Sequence, residues 1–334
     1  MKLALDKRDV TLGSLDASIS GVFQRAEKDD AFPRTFARED AATDGLLKAA
    51  WDRREIRGRK KEITVVHRPD GKGRVVLVGL GTRTAANHET ARRAAAEAVR
   101  ALRGKGARTV GFRLASFVTE QVGSEAAFEA LLEGAALGGY EFLRYKTKTD
   151  GGVEEAVVFL GEEHQREEAG LKRHLERTVV LTETVVRTRD LANLPADTAS
   201  PARLADEAVR LGKELDFKVQ VFDEKKLAEL KCGGLLAVGG GSTTHPPRMV
   251  VIEYPGAGRT GKTIAIVGKG ITFDSGGLSI KPAATMSEMK FDKSGAVAVL
   301  GILRAGGGPA GGAPGGGEHS LGPRITGRAP ETPR

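Results

Sequence analysis

A single cysteine, Cys232, in 334 residues excludes an internal disulfide and any cysteine-cluster metal site. No apolar run reaches the roughly 18 residues that a membrane span needs. The opening Met1-Lys2-Leu3-Ala4-Leu5-Asp6-Lys7 also lacks the long apolar stretch of a signal peptide. A membrane or secreted protein is therefore not expected, and a cytoplasmic one is. With 40% of residues apolar and 29% charged, disorder throughout is excluded as well. At about 150 residues per domain, the length corresponds to roughly two domains.

The formal charge of +8 is only mildly basic over this length. Past Leu303 the charges are Arg304, Arg324, Arg328 and Arg334 against Glu318 and Glu331, a net +2. One local cluster stands out: Arg53, Arg54, Arg57, Arg59, Lys60 and Lys61. Such a run can track the phosphates of a nucleic acid. More often such a run is a solvated face, and here Asp52, Glu55 and Glu62 dilute it.

From Glu62 onward the pattern alternates. ITVV, a Pro69-Asp70-Gly71 turn and RVVLVGL read as two strands. A helix follows over about 85–102, then strand TVGFRL, a helix over about 125–137 and strand AVVFL at 156–160. Strands alternating with helices indicate a three-layer α/β domain over 1–165. Gly79-Leu80-Gly81 lacks the third glycine of a phosphate-binding turn and reads as a plain β–α connection. A charged helix over about 162–188 then connects to a second α/β body, 166–304. Ser200-Pro201 opens a helix there, with serine as cap and proline at the first helical position. Strands are expected at 219–222, 235–238, 249–254 and 263–268.

Residues 305–317 read AGGGPAGGAPGGG, and the last thirty residues contain no aromatic. Glycine loses the most backbone entropy on ordering, and nothing here offsets that by burial. A disordered tail over 305–334 is expected. It follows abruptly on SGAVAVLGILRA, an apolar helix that belongs inside a domain.

Two short patterns are decoys. Residues 256–263 satisfy the phosphate-loop formula, but the β-branched run after them reads as a strand, where that loop needs a helix. Ser287-Glu288-Met289-Lys290 has a serine-to-lysine spacing whose partner motifs, Ser-Asp-Asn and Lys-Thr-Gly, are absent from the chain.

The informative stretch is 267–301, VGKGITFDSGGLSIKPAATMSEMKFDKSGAVAVLG. Lys269 ends an expected buried strand, Asp274 precedes a Ser-Gly-Gly turn, Lys281 precedes a proline and Asp292 stands before the apolar helix. Two carboxylates and two lysines are thus expected beyond strand ends, where α/β sheets place their sites. Each also has a structural reading: Asp292 as a helix cap, Asp274 as a turn residue and Lys281 as a surface cation.

This segment resembles the signature of the leucyl aminopeptidase family (M17, the two-metal cytosolic aminopeptidases). RDLANLPADTASPARLADEA and GGLLAVGGGSTTHPPRMVVIEYPG resemble the start of that family's catalytic domain. The resemblance implies two α/β domains: a macro-like N-terminal one and a metallo-aminopeptidase one, incomplete in this chain. It implies that Lys269, Asp274 and Asp292 are metal ligands for two divalent ions, Mn2+ or Zn2+ and possibly Mg2+, with Asp274 bridging them. As a ligand Lys269 is a neutral amine, because the neighbouring cations depress its pKa. Lys281 polarises the scissile carbonyl. Peptides are the implied substrates, their N-terminal residues the groups removed, and a homo-hexamer built through the catalytic domain the assembly.

Lys293 stands where methionine is frequent in the family, and Gly240 where glutamine is. The family's second motif, Asn-Thr-Asp-Ala-Glu-Gly-Arg, supplies two more carboxylates and an arginine that holds a bicarbonate base, and it does not occur in these 334 residues. Glu318 and His319 are the only tail residues able to ligate a metal. The expectation is an impaired aminopeptidase, truncated or frame-shifted over 305–334. The alternative is a non-catalytic fragment or binding subunit, contacting nucleic acid through its basic cluster. Nucleotide hydrolysis at 256–263 is a second rival.

Overall fold

The computed structural model describes residues 1–8, 14–25, 31–254 and 264–307. The chain divides into two compact units, the first Met1–Thr182 and the second beginning at Glu183.

The first unit is built on a six-stranded sheet. Its strands are β1 (Lys2–Asp6), β2 (Ala17–Phe23), β3 (Ile63–His67), β4 (Arg74–Gly81), β5 (Thr109–Arg113) and β6 (Glu155–Phe159). They lie in the order β1-β6-β5-β2-β4-β3. All neighbours are parallel except β3, which runs antiparallel to β4 after the tight 69–71 turn. Helices α1 (Ala37–Ala41), α2 (Leu46–Asp52), α3 (His88–Leu102) and α4 (Ser124–Gly138) follow in chain order. Two separate cores account for the layering. Ile19, Val76 and Phe112 pack with the alanine face of α3 and with Phe128 and Leu131 of α4. Val22, Val75 and Leu77 pack with Phe36, Leu47 and Trp51 from the α1–α2 region. The sheet is covered on both faces, and β4 accordingly reads as a near-continuous apolar run.

Asn87 closes the start of α3 with a capping box: its Oδ1 accepts from the Thr90 amide at 3.0 Å, and Thr90 Oγ1 accepts from the Asn87 amide. The Gly79-Leu80-Gly81 segment is the end of β4. A Cβ on Gly79 would stand 1.9 Å from the Arg59 carbonyl oxygen. These glycines therefore admit the 58–60 loop against the sheet, a role unrelated to phosphate. That loop carries the basic cluster, where Arg53 pairs with Glu55 at 2.9 Å and the amides of Arg57 and Gly58 donate to Glu62.

Helices α5 (Gly161–His164) and α6 (Glu168–Asn193) follow β6. His174 on α6 holds Glu129 of α4 at 2.8 Å through Nδ1 and Glu125 at 3.5 Å through Nε2. The first half of α6 is thereby packed into the first unit, so the division falls at Thr182 inside this helix, where the sequence places it at 165.

The second unit contains α7 (Pro201–Leu215), β7 (Lys218–Phe222), α8 (Glu224–Glu229), α9 (Gly233–Gly239), β8 (Met249–Glu253), α10 (Ala283–Met286) and α11 (Ser294–Gly307). Ser200 caps α7 as its sequence requires, accepting from the Arg203 amide at 3.3 Å. β7 and β8 pair antiparallel, from Lys218↔Glu253 to Phe222↔Met249. Ala208 and Leu211 of α7, Phe217, Ile252 of β8 and Leu303 of α11 form the core. Arg304 adds a two-pronged bond to Glu214, both contacts at 2.7 Å, joining α11 to α7.

Three expectations are corrected here. Residues 235–238 lie in helix α9, with the Leu236 amide bonded to Cys232 O and the Gly240 amide to Leu236 O. Residues 264–268 form no strand: the ladder has two members, and Ile264 and Val267 stand 50% and 89% exposed. An apolar run becomes a strand only where a neighbour supplies its hydrogen bonds. The apolar helix runs to Gly307, past the expected start of the tail at 305. Residues 308–334, including Glu318 and His319, lie outside the described residues, as does the phosphate-loop pattern at 256–263. The residues immediately after that pattern, 264–270, are not helical, so the helix that phosphate binding needs is lacking. No helix among the described residues is long and apolar enough to cross a membrane.

Candidate functional site

Lys269, Asp274, Lys281 and Asp292 all belong to the second unit. Lys269 Nζ lies 2.8 Å from Asp292 Oδ1, and Lys281 Nζ lies 3.2 Å from Asp274 Oδ2. Lys269 and Asp274 also act on one another electrostatically. The four groups form one run of alternating charge, Lys281–Asp274–Lys269–Asp292. Among the described residues no three histidine, cysteine or carboxylate side chains converge on a common point. The candidate centre is two carboxylates interleaved with two lysines.

Glycine is what brings Lys269 to Asp292. A Cβ on Gly268 would meet the Gly295 carbonyl oxygen at 2.5 Å, and one on Gly295 would meet the Lys269 nitrogen at 2.7 Å. The first turn of α11 thus rests backbone to backbone on the 268–269 segment. The Ala296 amide donates to Lys269 O at 2.8 Å and closes the contact. Lys269 does not end a buried strand as expected; its side chain is 58% exposed. The Asp292 carboxylate holds its ammonium above the ordinary lysine value.

Asp274 makes the turn its sequence position suggests: Oδ1 accepts from the Gly276 amide at 2.9 Å. Gly276 has φ 102°, where a side chain would also collide with Ser279 O. The Gly276 amide first and the Lys281 ammonium second hold the Asp274 carboxyl below its usual range. Lys281 is half-buried, and its amide donates to Ser275 O at 2.9 Å. The loop therefore closes on itself, with Asp274 and Lys281 side by side.

Asp292 follows a short 3-10 turn, Ser287–Phe291. Its Oδ1 holds Lys269 rather than an amide of α11, so helix capping is not its visible use. Its Oδ2 is buried and has no hydrogen-bond partner. A buried, unpartnered carboxylate oxygen is costly unless a cation or donor meets it. Next to it stands Lys293, which sequence reasoning noted only as a departure from a family pattern. It is wholly buried, and burial pushes its ammonium below the ordinary lysine value. The sequence signal for it is a lysine opening a helix whose other inward positions are apolar.

Residues 186–307 match the cytosol aminopeptidase family catalytic domain, and residues 19–149 match the N-terminal domain of the same family. The chain belongs to the cytosol aminopeptidase family. It is 37% identical over 270 residues to a protein of Azotobacter vinelandii named "Probable cytosol aminopeptidase", covering 80% of this chain and 54% of that one. A protein of the same name from Burkholderia pseudomallei is 34% identical over 295 residues, covering 88% and 58%. Among solved structures, the bottromycin maturation enzyme BotP in complex with Mn superposes with TM-score 0.69 at 31% identity, covering 88% of this chain and 56% of that one. A mutant of tomato leucine aminopeptidase superposes with TM-score 0.76 at 27% identity, covering 92% and 59%. This chain thus spans a little over half the length of the curated relatives it matches. Both α/β bodies of the cytosol aminopeptidase family are represented, and all four candidate residues fall inside the catalytic match.

Proposed function

We propose that this cytosol aminopeptidase homologue carries part of a two-metal leucyl aminopeptidase site, which removes N-terminal residues from peptides. The observation that carries the reading is the buried Asp292 Oδ2 with no partner, beside Lys269 and within the catalytic match. Its chemistry fits a divalent cation: oxygen from Asp292 and Asp274, nitrogen from Lys269 once its proton is lost. The similar BotP structure is a complex with Mn, which makes Mn2+ the first ion to try. Bound there, divalent ions would activate water and draw charge from the scissile carbonyl.

The remaining work falls to the chain. Asp274 holds the Lys281 side chain in place at 3.2 Å. Lys281 would stabilise negative charge as it grows on the carbonyl oxygen of the substrate. On Lys269, Asp274 and Asp292 alone, two ions stay under-coordinated. The 334-residue chain by itself is therefore expected to hydrolyse leucine amides slowly or not at all. The proposed assembly is a homo-hexamer formed through the catalytic body, read by sedimentation velocity.

The test is a calorimetric Mn2+ titration of the full chain after chelator treatment, alongside Asp274→Ala. The wild-type chain is expected to bind Mn2+, and the variant to bind at least about tenfold more weakly, with any leucine-amide hydrolysis lost. Unchanged Mn2+ affinity in Asp274→Ala would overturn the ligand assignment.

A further inference from the structure

Among the described residues two charged side chains are buried, Glu39 and Lys293. Glu39 faces the Arg113 guanidinium at 3.2 Å. Lys293 is satisfied differently. Its Nζ donates to the Leu194 carbonyl at 2.8 Å and to the Lys290 carbonyl. Leu194 directly follows α6, and Lys290 lies in the last turn of the 3-10 segment before Asp292. Both oxygens are carbonyls at helix ends, where backbone dipoles leave partial negative charge. An ammonium placed there tolerates burial without a carboxylate, because each carbonyl would otherwise be left bare.

We propose that Lys293 is a positioning residue: its ammonium ties the end of α6 to the turn that carries Asp292, and so holds the Asp292 carboxylate against Lys269. The geometry leaves Asp292 little freedom. Lys290 and Lys293 bracket it, and the ammonium of the second binds the carbonyl of the first. The Asp292 amide donates to Met289 O at 3.2 Å, and the Lys293 carbonyl accepts from the Val297 amide at 3.1 Å, which locks the residue to the first turn of α11. The far anchor, Leu194, is 99 residues away in sequence. The Asp292 turn is thus fixed to the scaffold of the second unit at a point that the 264–291 loop does not supply. An apolar side chain of similar length would fill the same space and leave both carbonyls unpaired.

The consequence for metal binding rests on the reading of Asp292 as a ligand, but the test needs no metal. The full chain, metal-free, is acylated with trace acetic anhydride, and the labelling rate of Lys269 is read by peptide mass against exposed Lys105. Lys293→Met and Lys293→Gln are nearly equal in length and differ in that only glutamine donates hydrogen bonds. In Lys293→Met, the Asp292 turn loses its anchor and Lys269 is released from the carboxylate that holds it at 2.8 Å, so its labelling should rise severalfold. Lys293→Gln should label more slowly than Lys293→Met, because its amide, one atom shorter than the lysine arm, still carries donors for these carbonyls. Unchanged labelling in Lys293→Met, or equally fast labelling in both variants, would overturn the proposal. Should Lys293→Met not fold, Lys293→Gln decides alone: labelling of Lys269 faster than in wild type supports the tether, and unchanged labelling refutes it. A wild-type chain that binds no Mn2+ would sink the metal reading and leave this result intact.

Discussion

Gly268→Ala should separate Lys269 from Asp292 without touching either side chain. The new Cβ would lie 2.5 Å from Gly295 O, 2.6 Å from its carbonyl carbon and 2.7 Å from Ala296 Cα. All three are backbone atoms of the first turn of α11, so no side chain can swing aside. Relief to ordinary contact requires a shift of about 1 Å, and overpacking of this kind costs roughly 1–3 kcal/mol. The same shift breaks the 2.8 Å bond from the Ala296 amide to Lys269 O, adding about 1 kcal/mol. The expected loss is about 2–4 kcal/mol, confined to the second unit. Urea denaturation separates the two bodies: Trp51, the only tryptophan, is buried in the first unit, while far-ultraviolet circular dichroism sees both. The dichroism transition of the variant should move to lower urea, and the Trp51 fluorescence transition should not. A variant whose dichroism transition coincides with that of wild type would refute the close-approach argument.

Two further outcomes follow from the charge pairs. Arg113→Met leaves Glu39 buried with the Ser20 hydroxyl, at 3.1 Å, as its remaining side-chain partner. Breaking a buried pair from one side costs about 3 kcal/mol or more, read as a lower urea midpoint of Trp51 fluorescence; a loss under about 1 kcal/mol would show that water reaches the pair. The Arg304 guanidinium holds the Glu214 carboxyl below its ordinary 4.5. That contribution is therefore complete above pH 4.5 and is lost as pH falls through the lower folded-state value. Because Glu214 is 42% exposed, solvent screening limits the pair to about 0.5–1 kcal/mol. The stability gap between wild type and Glu214→Gln should be of that size at pH 7 and close towards pH 3; a gap that widens in acid contradicts the assignment.

Much of the fold is legible along the chain because its causes are local. The caps at Asn87 and Ser200, the 69–71 turn and the apolar periodicity of α3, α4 and α7 each act within a few residues. Helices satisfy their own backbone and can be read one at a time. Strands cannot. Residues 235–238 and 264–268 carry strand-like composition, but the described part of the second sheet has only β7 and β8, so one segment coils into α9 and the other lies open. In the other direction, β2 contains Ser18 and Ser20 and is still a central strand, because β4 and β5 pair with it on both sides.

The candidate site divides in the same way. The residue types of Lys269, Asp274, Lys281 and Asp292, and the turn that Asp274 makes with Gly276, are properties of the 267–301 segment alone. Which lysine meets which carboxylate is decided by the backbone contact of Gly268 with Gly295. The burial of Lys293 depends on Leu194, on an element far away in sequence. Spacing along a chain constrains neighbours within a turn or two of helix. A contact between distant segments exists only after packing has removed the water between them, and there the tertiary structure alone decides.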